Sequence, residues 1–356
     1  MERRKAKQVH IGKITIGGNA PIAVQSMLCA PAHDTAANVE QAVRLEQAGC
    51  QIVRVAVPDQ EAVQLIPALK KAVSMPIVAD IHFDWRLAIE AIAAGVDKIR
   101  LNPGNIGDAS RVKAVADACS SAGIPIRIGV NGGSLEKHIL AKYGHVTPEA
   151  LKESALYHAA LLERFDFHDI VISIKASDVP TMVEACKLTA QACPYPLHLG
   201  VTEAGTERSG AVKSAVGIGS LLLSGIGDTI RVSLTADPVR EIATAKAILS
   251  ACGLRKEKVE LISCPTCCRT RIEIMGLTEK LEGLLQNVKT PLKVAVMGCA
   301  VNGPGEARNA DIGIAGGDGI GLLFKKGKII KRVPEEALLN VLMEEIRAMD
   351  CGKESE

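Results

Sequence analysis

Between residues 20 and 253 the chain alternates between short runs rich in β-branched residues and longer amphipathic segments that end in Ala-Gly or Cys-Gly. The runs IAVQSM (22–27), QIVRVAV (51–57), PIVADI (76–81), KIRLN (98–102), IRIGV (126–130), DIVISIK (169–175), PLHLGV (196–201) and TIRVSL (229–234) predict eight strands. Stretches such as NVEQAVRLEQAG, DWRLAIEAIAAG, RVKAVADACSSAG and PVREIATAKAILSACG place apolar residues at i, i+3, i+4 and i+7, which predicts helices between the strands. Alternation at a period of roughly 25 to 30 residues implies a parallel sheet. Eight such units close most simply into a (β/α)8 TIM barrel. An open doubly wound sheet is the competing architecture, but no glycine-rich dinucleotide fingerprint follows the first strand.

After residue 253 the pattern changes. KVELIS predicts a strand running into SCPTCC, LTEKLEGLLQNV a helix, and PLKVAVMG a strand leading to Cys299. IGIAGG and GLLFKKGKIIKRV predict further strands with a hairpin turn at KKGK, and PEEALLNVLMEEIRAM predicts a last helix. The expected division is a barrel over residues 1–253 and a small α/β domain over 254–356 with a short polar tail.

In a barrel of this kind the C-terminal ends of the strands form the mouth of the active site. Here those ends are polar: Arg54, then Asp80 with His82, Arg100 with Asn102, Arg127 with Asn131, Lys175, His198 with Thr202 and Glu203, and Arg231 with Ser233. Five cations from five strands converge on one concave site in this reading. Burying so much like charge without a partner is costly, so an anionic ligand is the natural counterpart. Arginine suits phosphate because its planar fork donates two hydrogen bonds at once. A salt bridge within the barrel is the plainer reading of any single arginine; the set favours phosphate or diphosphate.

Composition narrows the rest. Aromatic residues are only 2% of the chain, too few for the stacking platforms that single-stranded nucleic acids require. A net charge of +2 gives no general attraction to polyanions or membranes. No segment approaches the roughly 20 apolar residues of a membrane span, and the basic start is not followed by a signal-peptide core, so a cytoplasmic protein is expected. Eleven cysteines, an odd number, suggest no disulfide framework. Cys29, Cys50, Cys119, Cys186, Cys193 and Cys252 lie in or beside apolar periodic segments and are expected to be small buried hydrophobes.

The remaining cysteines are candidates for metal chemistry. Structural zinc usually takes four protein ligands, commonly from two short clips. One clip, Cys264 and Cys267, is followed here by a lone Cys299, and Cys268 supplies a fourth thiolate only if the backbone bends sharply. Three thiolates with an incomplete fourth position fit an iron–sulfur cluster in which one iron keeps a non-thiolate ligand.

SCPTC followed by VMGCAVNGPGEA resembles the signature of the 4-hydroxy-3-methylbut-2-enyl diphosphate synthase family, iron–sulfur enzymes of the non-mevalonate isoprenoid pathway. The likeness extends through VQSM, RVAV, ADIHF, KIRLNPGN, IRIGVN, SIKASD, HLGVTEAG and GDTIRVSLT, and so covers the chain in the short bacterial two-domain form. It implies a [4Fe–4S] cluster held by Cys264, Cys267 and Cys299, with Glu306 on the fourth iron. A carboxylate there is a harder, weaker ligand than thiolate and is open to displacement by substrate oxygen. The family pattern carries glycine where Cys268 stands, and Cys268 is read as an oxidisable bystander.

The same resemblance implies a reductive ring opening of 2-C-methyl-D-erythritol 2,4-cyclodiphosphate to (E)-4-hydroxy-3-methylbut-2-enyl diphosphate, with electrons from ferredoxin or flavodoxin. Arg54, Arg100, Arg127, Lys175 and Arg231 are then expected to clamp the diphosphate, with Asn131 and Ser233 as hydrogen-bond partners. Glu203 is the expected proton donor for water loss, with His82 as second choice. The linker GLRKEK spans only about 20 Å at full extension, and it leaves the barrel at the end opposite the mouth. A head-to-tail homodimer is therefore expected, in which each small domain covers the other copy's barrel. A phosphate-binding barrel with a zinc appendage and a pterin-binding barrel enzyme are the alternatives.

Overall fold

The computed structural model describes residues 2–102, 104–255, 259–285, 288, 290–300, 305, 307–317 and 319–351. Its internal contacts divide the chain into two units, Met1–Arg255 and Lys256–Glu356.

The first unit begins with an antiparallel hairpin, β1 (Val9–Ile11) and β2 (Ile14–Ile16). There follow β3 (Ala23–Met27), α1 (Thr35–Gln47), β4 (Ile52–Ala56), α2 (Gln60–Val63), α3 (Leu65–Ala72), β5 (Ile77–Asp80) and α4 (Trp85–Ala93). The chain continues through β6 (Lys98–Leu101), α5 (Ala109–Ala122), β7 (Ile126–Asn131), α6 (Lys137–Tyr143), α7 (Pro148–Glu163), β8 (Ile170–Lys175) and α8 (Val179–Ala192). It ends with β9 (His198–Leu199), α9 (Glu207–Leu223), β10 (Thr229–Ile230) and α10 (Pro238–Ala251). Strands β3 to β10 pair in parallel in the order β8-β7-β6-β5-β4-β3-β10-β9, and a bridge between Ile172 and Leu197 closes the ring. These are the eight strands that the β-branched runs predict.

Period-two alternation explains how the barrel holds together. Outward residues such as Val53, Val55, Ile77, Ile99, Ile126 and Ile170 pack under Leu45, Leu69, Ala116, Leu151 and Leu221 of the helices. Each aliphatic side chain buried this way contributes about 1.5–3 kcal/mol. Asp34, Asp84, Asp108, Asp178 and Asp237 accept hydrogen bonds from first-turn N–H groups and so start the helices that leave the mouth. Each such cap is worth about 1 kcal/mol.

Inward positions behave differently along the barrel axis. At the N-terminal end Ala23, Ile52, Val78 and Val171 meet Val9, Ile11 and Ile16 of the hairpin, which plugs that end with a small apolar cluster. The eight-strand reading does not include this hairpin, because two three-residue runs are too short to stand out by periodicity. Two residues further along the same strands the inward positions turn polar: Gln25, Arg54, Asp80 and Ser173.

The second unit is a five-stranded sheet in the order β11 (Val259–Ser263), β12 (Leu292–Met297), β13 (Ile312–Ala315), β14 (Ile320–Lys325), β15 (Lys328–Pro334). The first three are parallel and the last two antiparallel. Lys326 and Gly327 both take positive φ at the KKGK turn, as a two-residue hairpin loop requires. α11 (Ile274–Leu285) and α12 (Leu338–Cys351) cover one face through Leu281, Leu285, Leu338, Leu342 and Ile346. Met297, Ala310, Leu322 and Phe324 form a smaller cluster of their own.

Candidate active site

Where the barrel strands end, Met27, Arg54, Asp80, His82, Arg100, Arg127, Asn131, Ser173, Lys175, Thr202, Arg231 and Ser233 line a cavity of about 330 Å³. All five cations expected at the mouth are there, each from a different strand. Parallel register brings them level: Arg54 lies opposite Met27, Arg100 opposite both Asp80 and Arg127, and Asn131 opposite Lys175.

Two carboxylates balance part of this charge. Asp80 faces Arg100 at 2.9 Å, Arg54 at 3.5 Å and His82 at 3.5 Å. Burial would push the Asp80 carboxyl up, but Arg54, the His82 hydrogen bond and Arg100 outweigh it and hold the group far below the usual carboxylate range. Glu241, from α10, reaches Arg231 at 3.7 Å while accepting from Ser26 Oγ and the Leu234 N–H. Arg127 and Lys175 have no carboxylate partner among the described residues. Arg127 is 1% exposed, and its Nε and Nη1 find no acceptor among those residues. Burial, then Arg54 and Arg100, pulls its guanidinium well below the ordinary value; burial, then Arg231 and Arg54, does the same to the Lys175 amine. Burial likewise takes Arg54 down to about 10, with Asp80 opposing. An unpaired guanidinium in such a place is costly, and a multiply charged anion is the ligand that relieves it.

Glycine makes the crowding possible. A Cβ on Gly129 would lie 2.6 Å from Nε and Nη2 of Arg100, so only a residue without a side chain lets that guanidinium cross β7. At Gly200 a Cβ would lie 2.8 Å from the Arg231 carbonyl and 3.5 Å from Lys175 Nζ.

Other residues expected at the mouth settle elsewhere. Asn102 is buried in the loop after β6, where its side chain donates to Ser134 Oγ and accepts from the Gly104 N–H. His198 is fully buried, with Nδ1 2.7 Å from Thr229 Oγ1. Glu203 is exposed and does not line the cavity; its backbone takes φ +51°, a strained value for a residue with a side chain. Met27 and Ser173 line the cavity without having been singled out. Their inward parity with Gln25 and Lys175 was the available signal. Cys29 corrects an expectation. It is exposed, not buried, because it stands beyond the end of β3, where its N–H donates to Gln41 Oε1 and its sulfur accepts from Gln41 Nε2. Cys50, Cys119 and Cys186 are buried, and Cys193 and Cys252 are half-buried.

In the second unit the parallel pair β11 and β12 ends with Ser263 level with Val296, so Cys264 and Cys299 follow adjacent strand ends. The Gly298 N–H donates to Cys264 Sγ at 3.1 Å, the Cys264 N–H donates to the Val296 carbonyl, and the Arg271 N–H donates to the Gly298 carbonyl. Cys267 sits in a turn closed by Thr270, and the backbone N–H and guanidinium of Arg269 lower its thiol pKa. Cys267 and Cys268 are exposed, and Cys264 and Cys299 are half-buried. No group of three His, Cys, Asp or Glu side chains among the described residues gathers closely enough to hold a metal ion. The donor chemistry nonetheless fits a thiolate-bound cluster: one sulfur already accepts a backbone N–H, and another is biased toward thiolate. Glu306 lies outside the described residues.

The family model described as the GcpE TIM-barrel domain matches residues 6–246, and that for the GcpE protein C-terminal domain matches residues 260–348. A protein of Caldanaerobacter subterraneus subsp. tengcongensis named 4-hydroxy-3-methylbut-2-en-1-yl diphosphate synthase (flavodoxin) is 59% identical over 347 residues, covering 98% of each chain. A protein of the same name from Geobacillus thermodenitrificans is 56% identical, covering 97% of this chain and 92% of its own. Among solved structures, dihydropteroate synthase from Stenotrophomonas maltophilia superposes on 68% of this chain and 98% of its own with a TM-score of 0.51, at 15% identity. That likeness is one of barrel fold alone. With both of its units matched by the two domains of one family, and with relatives identical at more than half of their positions along nearly the whole length, the chain belongs to the GcpE family.

Proposed function

We propose that the chain is a 4-hydroxy-3-methylbut-2-en-1-yl diphosphate synthase, which converts 2-C-methyl-D-erythritol 2,4-cyclodiphosphate to (E)-4-hydroxy-3-methylbut-2-enyl diphosphate by taking two electrons and releasing one oxygen as water. The observation that carries the reading is the mouth cavity, where five cations face two carboxylates among the described residues. Arg127 and Lys175, free of carboxylates, take the diphosphate oxygens. Arg54, Arg100 and Arg231 keep part of their charge engaged with Asp80 and Glu241, which fixes the orientation of their forks before substrate arrives. Asn131 and Ser233 complete the hydrogen bonds. His82, on the cavity wall beside Asp80, and Glu203, exposed beyond β9 and outside the cavity lining, are the groups proposed to deliver a proton to the departing oxygen.

Cys264, Cys267 and Cys299, with Glu306 as the fourth ligand, hold the [4Fe–4S] cluster in this proposal. When bound, the cluster passes electrons one at a time from a flavodoxin-type donor. The partner given in the relatives' names supports flavodoxin over ferredoxin. We place the protein in the cytoplasm as a head-to-tail homodimer. An exposed apolar strip on α9, with Val212 at 62%, Val216 at 57% and Leu223 at 56% exposure, supports association with a second copy. Among the described residues no helix is long and apolar enough to cross a membrane.

Anaerobic reconstitution with iron and sulfide, followed by assay with the cyclodiphosphate and a one-electron reductant, tests the proposal. A brown protein that contains acid-labile sulfide and turns the substrate over is expected. A colourless zinc protein, or a cluster-loaded protein without turnover, refutes it.

A further inference from the structure

Beneath the cavity floor lies a second set of polar groups that the reaction described above does not use. Lys98 is 0% exposed and precedes Arg100 by two residues on β6, so it points inward on the same face, about 7 Å nearer the plugged end. Its Nζ finds no acceptor among the described residues. Both side-chain polar atoms of Gln25 on β3 and Nε2 of His198 on β9 likewise have no hydrogen-bond partner among those residues, and each residue is 1% exposed or less. Arg127, with Nε and Nη1 also unpartnered, connects this set to the cavity above.

Among the described residues, the charges that act on Lys98 are of its own sign. Arg127 from β7 and Arg54 from β4 reinforce burial in lowering its pKa well below the ordinary value. His198 from β9 is likewise held down by burial, then by Arg127, Lys175 and Lys98. Of the two carboxylates at this end of the barrel, Asp80 on β5 is one step nearer the mouth and engaged by Arg54, Arg100 and His82, and Glu241 on α10 is engaged by Arg231, Ser26 and the Leu234 N–H. Burial among charges of its own sign disfavours the ammonium, and negative charge entering above it favours that form again. A single negative charge about 8 Å away, at an effective dielectric of about 20, favours the ammonium roughly 30-fold, and a diphosphate carries more than one charge.

We propose that Lys98, with Gln25 and His198, forms a lower storey of the anion site, and that Lys98 takes a proton from solvent as the diphosphate settles above it. Lys98 is then a positioning residue: it acts on substrate through Arg127, and substrate affinity is coupled to proton uptake. The inference rests on the diphosphate reading of the cavity.

Calorimetric titration of the anaerobic holoenzyme with the cyclodiphosphate, at about pH 8 in buffers of different ionisation enthalpy, counts the protons taken up. The wild type is expected to take up about one proton per site more than Lys98→Met. The affinity of Lys98→Met is expected to be lower and to lose part of its decline with rising pH, while its melting temperature without ligand is unchanged or higher. Lys98→Gln, which keeps a polar chain, serves if the methionine variant fails to fold. Equal uptake by wild type and variant overturns the proposal, as does loss of the uptake in His198→Gln but not in the Lys98 variants. Binding of neither the cyclodiphosphate nor inorganic pyrophosphate by the wild type overturns the diphosphate reading itself.

Discussion

Arg127→Met separates the two roles that the structure gives this residue. Its guanidinium is buried without a carboxylate partner among the described residues, so the free protein carries a desolvation cost that Asp80 offsets only in part. Replacing a buried ion by an apolar side chain of similar length is neutral or stabilising by about 1–4 kcal/mol. For a folding unit of this size one kcal/mol moves the melting temperature by about 2–4 °C, so the ligand-free variant should melt up to roughly 16 °C higher than the wild type. The bound state reverses the order. Removing one partner of a buried charge-assisted contact costs about 2–5 kcal/mol, or roughly 30- to 5,000-fold in affinity for the cyclodiphosphate. At a ligand concentration about a hundred times its dissociation constant the wild type gains about 2.7 kcal/mol, of which the variant forfeits about two thirds or more. Thermal unfolding followed by circular dichroism, with and without the cyclodiphosphate, reads both effects. A variant that melts several degrees lower and still binds normally would show that Arg127 is a structural cation, and the anion-site argument would fail.

The opposite sign is expected for Asp80→Asn, which leaves Arg54, Arg100 and His82 without their shared carboxylate; a loss of about 3–5 kcal/mol should appear in chemical denaturation. Because Asp80 ionises far more readily folded than unfolded, its contribution is complete above about pH 4 and fades only below it, so the gap between wild type and variant should close on acidification. Gly129→Ala should displace the Arg100 guanidinium from its place beside Asp80, weakening cyclodiphosphate binding by about tenfold or more, as one charge-assisted contact is lost, with little change in circular dichroism. Cys264→Ser should lose the cluster's visible absorbance and most of its iron, whereas Cys268→Ser should keep both; equal loss in the two variants would move Cys268 into the ligand set.

Much of the site was visible in sequence because strand periodicity fixes parity. Once Arg54 and Arg100 are placed near strand ends, their inward orientation follows from the aliphatic neighbours that must face the helices. Depth along the barrel axis is a different quantity. It depends on the stagger between neighbouring strands, which no single run reveals, and so His198 and Lys98 were not recognised as lying a layer below the mouth. Asn102 shows a third limit, since a loop asparagine finds its partner, Ser134, only when the chain folds back.

The sequence alone determined the alternation of eight strands with helices, the cationic strand ends and the spacing of the three cysteines, because these depend on local propensity and on side-chain chemistry. Tertiary structure decided which cations are neutralised: Asp80 serves Arg54 and Arg100, Glu241 serves Arg231, and Arg127 and Lys175 meet no carboxylate among the described residues. It also decided that a short N-terminal hairpin seals the barrel and that Cys29 faces solvent. The physical reason is that charge pairing and burial are properties of distance between residues far apart in the chain, and those distances exist only after the ring has closed.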